Sequence, residues 1–294
     1  MFDFKRFGKV MVCLLCCMAC LVCAVPASAL STLSVGNTAA GVVTDSPAVS
    51  LDDLNTQTSG HLVSKVRYSA SYYALVIGCL ENGTKLTVLG STKYFYKIDC
   101  YGTTGYISKG QVKINEIGEY YVSADESSSE SSRLPSYSAQ EAMILRDQIV
   151  ATAKKYIGVR YLWGGTSPYG FDCSGYTQYV YKKVGISINR VVQAQLQNGI
   201  IVAKKDLQAG DLIIFSNTGS YGYASHIGIY LGNDKLIHAS ETKGITIVSL
   251  SNTYFASHYQ CGIRVILSDV SVEATLPTVN SITCTVSSGW RNED

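Results

Sequence analysis

Residues 138–268 place their helix-forming stretches first and their strand-forming stretches after them. That order limits the fold of this segment to an α+β domain. Ser138 and Glu141 form a capping box, and Ala142, Leu145, Ile149, Ala153, Tyr156 and Ile157 carry a helical stripe that Gly158 ends. A second helical face lies in FDCSGYTQYVYKKVG (171–185), where Tyr176, Tyr179, Val180 and Val184 recur at helical spacing before Gly185. After it, DLIIF (211–215), HIGIYLG (226–232), KLIHAS (235–240), GITIVSL (244–250) and YQCGIRVIL (259–267) suit an antiparallel sheet.

Cys173 stands where the second helix begins, between Asp172 and Ser174, either of which can cap the first turn. Unpaired N–H groups and the positive end of the helix dipole favour thiolate there, which makes Cys173 a candidate nucleophile. The competing reading is a small buried residue, the ordinary fate of an unpaired cysteine. Five of the ten cysteines (Cys13, Cys16, Cys17, Cys20, Cys23) lie near the N-terminus, and Cys79, Cys100, Cys173, Cys261 and Cys284 lie beyond it. Pairing Cys79 with Cys100 and Cys261 with Cys284 would leave Cys173 free, and the alternative is that all five are reduced.

The N-terminus reads as an export signal over 1–29. Lys5, Arg6 and Lys9 precede an apolar run, and Ala27-Ser28-Ala29 gives a cleavage pattern. A retained anchor and a lipoprotein are the alternatives; the run is short for a span. Residues 30–57 read as a flexible leader. Over 58–116 short strands recur between turns, as expected of a small β-barrel. Residues 117–137, centred on ADESSSESSRLPSYS, read as a Ser-rich linker, and 269–294 as a tail without assigned role. The formal charge of +2 carries no nucleic-acid footprint, and the cysteines are too scattered for a zinc knuckle, so neither a nucleic-acid partner nor a metal or other cofactor is expected.

A nucleophilic cysteine needs a base, and the base needs a group to orient it. His61 falls in the barrel segment, and the surroundings of His258 do not place it. His226 and His238 bracket one hairpin. His226, Gly228 and Tyr230 share a face opposite Ile227, Ile229 and Leu231. A two-residue Asn233-Asp234 turn would set His238 opposite Ile229, on the wrong face. A three-residue Gly232-Asn233-Asp234 loop sets it opposite Gly228, on the face of His226 and roughly 7–8 Å away across one diagonal. The three-residue loop is therefore expected, with Gly228 leaving room between the rings.

GVRYLWGGTSPYGFDCSGYTQYVY, AGDLIIF, SHIGIYLG and LIHAS together resemble the NlpC family of papain-like bacterial cell-wall cysteine peptidases, over about 140–268. The resemblance implies a papain-like core, helices packed on an antiparallel sheet, with Cys173 as nucleophile, His226 as base and His238 as its orienter. It further implies that Tyr161 lines the site near the oxyanion and that Asp172 and Ser174 bind the substrate's free amino end. Without it, Tyr161 is a structural aromatic and the other two are helix caps. Arg190 and Gln195 fit the family's "R…Q" stretch, while Asn189, Arg160 and Ala209 replace prolines usual in the pattern. Val66-Arg67, the 83–90 strand, Tyr94 to Ile98 and Gly102 to Ile107 resemble a bacterial SH3-like domain, with Tyr94-Phe95-Tyr96 where a Trp is usual. The implied function is a secreted peptidoglycan hydrolase. It would cut stem peptides between D-γ-glutamate and the diamino acid and hold the wall through the SH3-like domain. An amidase or acyltransferase on the same fold and a non-catalytic wall-binding protein are the alternatives.

Overall fold

The computed structural model describes residues 60–219 and 222–269. The expected export signal, leader and tail, and Cys284, lie outside these residues. The SH3-like unit consists of β1 (His61–Arg67), β2 (Val76–Glu81), β3 (Lys85–Ser91), β4 (Phe95–Cys100), β5 (Thr103–Ser108), β6 (Val112–Ile114) and β7 (Tyr120–Val122). Its strands run in the order β2-β1-β5-β4-β3-β7-β6 around Val66, Ile77, Ile98 and Ile107, all but fully buried.

The Ser-rich stretch is not a linker. β7 pairs with β3 and β6, β8 (Ser131–Leu134) pairs with β1, and β9 (Ser136–Tyr137) pairs in parallel with the Leu267–Ser268 strand near the far end of the described residues. The physical reason lies in its partners. Glu130 is buried and receives both Nε and Nη2 of Arg67 at 2.8 Å, while Ser131 donates from Oγ to Gln111 at 2.6 Å and Leu134 is buried. Composition reads such a segment as solvated; contacts 20 and 63 residues away along the chain make it part of the sheet.

The second unit begins with α1 (Ala139–Lys154), whose capping box forms as expected and whose buried stripe is Ala142, Leu145, Ile149 and Ala153. A small ribbon, β10 (Thr166–Ser167) and β11 (Gly170–Phe171), leads into α2 (Cys173–Lys183). The short α3 (Val192–Gln195) and β12 (Ile200–Val202) follow. β13 (Leu212–Phe215), β14 (His226–Gly232), β15 (Lys235–Ser240) and β16 (Gly244–Ser249) then form a meander. The chain returns through α4 (Thr253–His258) to β17 (Tyr259–Arg264) and β18 (Leu267–Ser268), the partner of β9. The strand order β16-β15-β14-β13-β17-β12 is antiparallel throughout, as expected of an α+β domain. It joins the SH3-like unit through a parallel bridge of Ile200 to Cys79.

Tyr176 and Val180 of α2, with Ile149 of α1, pack on Ile227, Ile229 and Ile237 of the sheet, all essentially inaccessible. Burial of each such side chain contributes about 1.5–3 kcal/mol. A one-residue slip would turn Ile227 and Ile229 away from the helices, so this burial also fixes the face on which His226 lies.

Of the two cysteine arrangements left open, the reduced one holds among the described residues. Cys79 and Cys100 are free and buried, Cys100 in the main core and Cys79 in a separate cluster with Val63, Leu134 and Leu267. Cys261, for which Cys284 was the candidate partner, is also a free, buried thiol, and Cys173 is the one free cysteine that is only half-buried among the described residues.

Candidate active site

Asp172 is the N-cap of α2, its Oδ1 accepting the Gly175 N–H at 2.7 Å. The helix start presses against the preceding turn so closely that a Cβ on Gly175 would lie 2.1 Å from the Gly165 carbonyl oxygen. Arg190 closes over this end. Its Nη1 donates to Asp172 Oδ1 at 3.1 Å and to Ser174 Oγ at 2.8 Å, and its Nη2 donates to Asp172 Oδ2 at 2.5 Å. Gly164 N–H adds a bond to Oδ2 at 3.0 Å, and Ser174 Oγ lies 3.4 Å from Oδ1. A carboxylate offers about four lone-pair sites, and these donors occupy them. Asp172 is therefore an organiser of the helix start, and the amine-binding role implied for it would require displacing Arg190. Gln195, fully buried, ties the same turn to α3: it accepts from Thr177 Oγ1 at 2.7 Å and donates to the Ser174 and Asn189 carbonyls at 2.9 and 2.8 Å.

Cys173 projects from this first turn towards β14. The backbone N–H groups of Ser174, of Cys173 itself and of Ile227 lie against its sulfur. Ile227 immediately follows His226, so the thiol meets the sheet at the base of the His226 side chain. Burial, and next the Asp172 charge, push the thiol up to about 11; those N–H groups pull the other way without reversing the shift. Burial and the Asp172 charge thus oppose the thiolate that the helix start favours.

The two histidines come together as expected, by a different turn. Asn233 and Asp234 form a two-residue turn with φ of 50° and 60°, and Gly232 pairs with Lys235. A bulge between Tyr230 and Gly232 then restores the parity, so that His238 faces Gly228. His226 Nε2 and His238 Nδ1 are 2.9 Å apart, with the rings at 86°. Gly228 is required here: a Cβ would meet the Ile237 carbonyl oxygen at 2.8 Å and the His238 Cβ at 3.1 Å. Phe255 packs edge-on against His238 at 5.1 Å, and Phe215 lies beside His226 at 6.0 Å. This apolar surround holds both rings neutral. Burial, and next His238, lower His226 to about 3, and burial lowers His238 to about 4.

The other histidines stay outside this cluster. His258 is half-buried at the end of α4, bonded to Ser257 and the Tyr254 carbonyl, and His61 bonds Glu81 in the SH3-like unit. Tyr161 is half-buried against the core and bridges Phe171 in the stretch that leads to Cys173. The rings of Phe215 and Phe255 and the clamp of Arg190 were missed as site residues. Phe255 sits on α4, a six-residue helix whose one sequence signal is the Asn252 cap.

Residues 158–264 match the NlpC/P60 family, and residues 62–113 match the bacterial SH3 domain. The stretch 158–264 is thus similar to NlpC/P60 domains, and the match does not extend over the rest of the chain. Among its relatives, the γ-D-glutamyl-L-lysine dipeptidyl-peptidase of Bacillus cereus is 38% identical over 114 residues, which cover 38% of this chain and 34% of that protein. The γ-DL-glutamyl hydrolase of Bacillus subtilis is 44% identical over 118 residues, 40% of this chain and 28% of that one. The chain thus spans about a third of the length of these curated relatives. Among solved structures, the NlpC/p60 domain of the peptidoglycan hydrolase SagA is 38% identical, with 97% of that domain and 40% of this chain covered and a TM-score of 0.36.

Proposed function

We propose that this protein is an exported cysteine endopeptidase that cuts peptidoglycan stem peptides between D-γ-glutamate and the diamino acid. The observation that carries the reading is the His226–His238 bond at 2.9 Å, made through His226 Nε2, with the Cys173 sulfur against the Ile227 N–H. That bond leaves His226 Nδ1 as the nitrogen for the thiol. His238 accepts from Nε2–H and fixes the tautomer in which Nδ1 can take a proton.

Both resting groups are neutral, so the proton moves as the sulfur attacks. His226 Nδ1 takes the Cys173 proton while Sγ bonds the amide carbon, and the oxyanion forms near the Cys173 and Ser174 N–H groups, with Tyr161 beside it. Imidazolium and oxyanion appear together, each offsetting the other's burial cost. His226 then protonates the leaving amine, and water hydrolyses the thioester with the same ring as base. Ser174 shapes the substrate side of the helix start. The SH3-like unit holds wall polymer, and export ends with cleavage after about Ala29. The two Bacillus relatives support a γ-glutamyl bond as the target, since both are named for acting on one.

Digestion of defined muropeptides, read by mass, tests this reading. Fragments ending in D-γ-glutamate are expected, and they disappear with Cys173→Ala. A cut between sugar and peptide would make the protein an amidase, and full turnover by Cys173→Ala would remove the nucleophile from the scheme.

A further inference from the structure

The strand that carries the base is entered through a strained residue. Ala224, two positions before His226, has φ of 52° and is fully buried. A side chain rarely adopts this left-handed conformation, and it persists only where the surroundings enforce it. Here both of its peptide groups are held. The Ala224 carbonyl accepts from Gln193 Nε2 at 3.0 Å, and its N–H donates to Gln260 Oε1 at 3.1 Å. Ser216 Oγ also donates to Gln260 Oε1, and the next N–H, of Ser225, donates to the Phe215 carbonyl at 2.9 Å. Ser225 thereby starts the ladder in which Phe215 faces His226.

Gln260 owes its place to an irregularity. Between β13 and β17, Ile214 faces Cys261 and Phe215 faces Tyr259, so Gln260 is the extra residue of a bulge. Bulges re-aim side chains and withdraw backbone groups from the ladder. Both effects are used. The side chain, in a residue only 8% exposed, reaches Ala224, and the backbone carbonyl accepts from Thr103 Oγ1 of the SH3-like unit at 2.9 Å. A second contact runs parallel to it: the ring of Tyr68, at the end of β1, stands edge-on to that of Tyr223 at 5.1 Å. The SH3-like unit thus touches the 216–225 segment directly through Tyr223 and indirectly through Gln260.

We infer that Gln260 is a positioning residue for His226, and that Thr103 makes the SH3-like unit a brace for that residue. The inference rests on the reading of His226 as the base of Cys173. Gln260 touches neither substrate nor reacting atoms; it holds Ala224 in the conformation from which β14 starts. Without that acceptor the 222–225 turn relaxes towards ordinary backbone angles, and His226 loses its alignment with the sulfur while remaining bonded to His238.

The test is the alkylation rate of Cys173 by iodoacetamide across neutral pH, followed on the Cys173 peptide by mass, together with kcat and KM on a defined stem peptide. The share of the rate lost in His226→Ala reports the Cys–His coupling without any substrate. Gln260→Leu is expected to lose most of that share and to lower kcat by about tenfold or more, a loss of the size that misalignment produces, with KM little changed. Gln260→Glu, which keeps an acceptor oxygen, recovers most of both. Thr103→Val gives a smaller loss of the same kind. Ala224→Gly in the Gln260→Leu background recovers part of the loss, because glycine takes the left-handed angle without strain; general misfolding would not be rescued in this way. Retention of the His226-dependent share and of kcat by Gln260→Leu, or absence of rescue by Ala224→Gly, overturns the inference. Equal alkylation of the natural protein and His226→Ala overturns the base reading itself, and the inference falls with it.

Discussion

The two sides of the Cys173 sulfur are built on opposite electrostatic plans. On the helix side the groups are charged and saturated: Asp172 is met by Arg190, Gly164 and Gly175. On the hairpin side they are neutral and enclosed: His226 and His238 bond one another between Phe215 and Phe255. The helix side fixes the position of the sulfur by compensated charge. The hairpin side keeps a proton acceptor uncharged by excluding water. In the proposed Cys173–His226 pair, burial works against ionisation of both groups.

Removing either neutral ring is expected to have the largest effect. His226→Ala should reduce kcat/KM on a stem peptide by about 10²–10⁴-fold, the range for loss of a positioned base, and His238→Ala by less, since the base survives without its orienter. Equal losses would mean that the bond at 2.9 Å matters more than the ring proposed as the base.

The next expectation concerns acid. Both rings bind protons more readily in the unfolded chain, where the ordinary value is 6.5, than in the folded one, at about 3 and about 4. The unfolded state therefore gains protons first. Stability is complete above about 6.5 and declines as pH falls towards those folded values. Denaturant midpoints measured across this window should flatten in His238→Phe, and an unchanged slope would show that the rings are not shielded.

Phe255→Ala opens the enclosure and should destabilise the protein by about 3 kcal/mol, with the His238 titration moving back towards the ordinary range by NMR. Arg190→Gln should have the smallest effect, about 1–3 kcal/mol, because its side chain is 34% exposed and solvent screens the pair. Its distinguishing readout is the thiol. An Asp172 charge left without its partner raises Cys173 further, so alkylation should begin at higher pH than in the natural protein. A downward shift would invert the comparison between the two sides.

The site was legible where its signals are local. The capping box at Ser138, the Asp172 cap and the glycine at 228 follow from spacing, and the structure forms each of them. The hairpin shows the limit. Alternation along HIGIYLG and KLIHAS set the faces, but the sequence could not tell a three-residue loop from a two-residue turn with a bulge, since both give the same parity. The cysteine pairing stayed open for a related reason: a count of cysteines carries no geometry, and Cys79 and Cys100 enter different clusters.

By itself, then, the sequence determined the α+β order and the helix that presents Cys173, because hydrophobic period and capping act over a few residues, whereas the shared face of His226 and His238 needed the bulge between Tyr230 and Gly232. Only the tertiary structure decided that the Ser-rich stretch is sheet, that Arg190 bonds Asp172, that the bulge at Gln260 meets Ala224, and that burial pushes the Cys173 thiol up. Each of these depends on contacts between distant residues or on depth from water. At Cys173 burial, and next the Asp172 charge, act against the helix start, and no spacing along the chain encodes that depth.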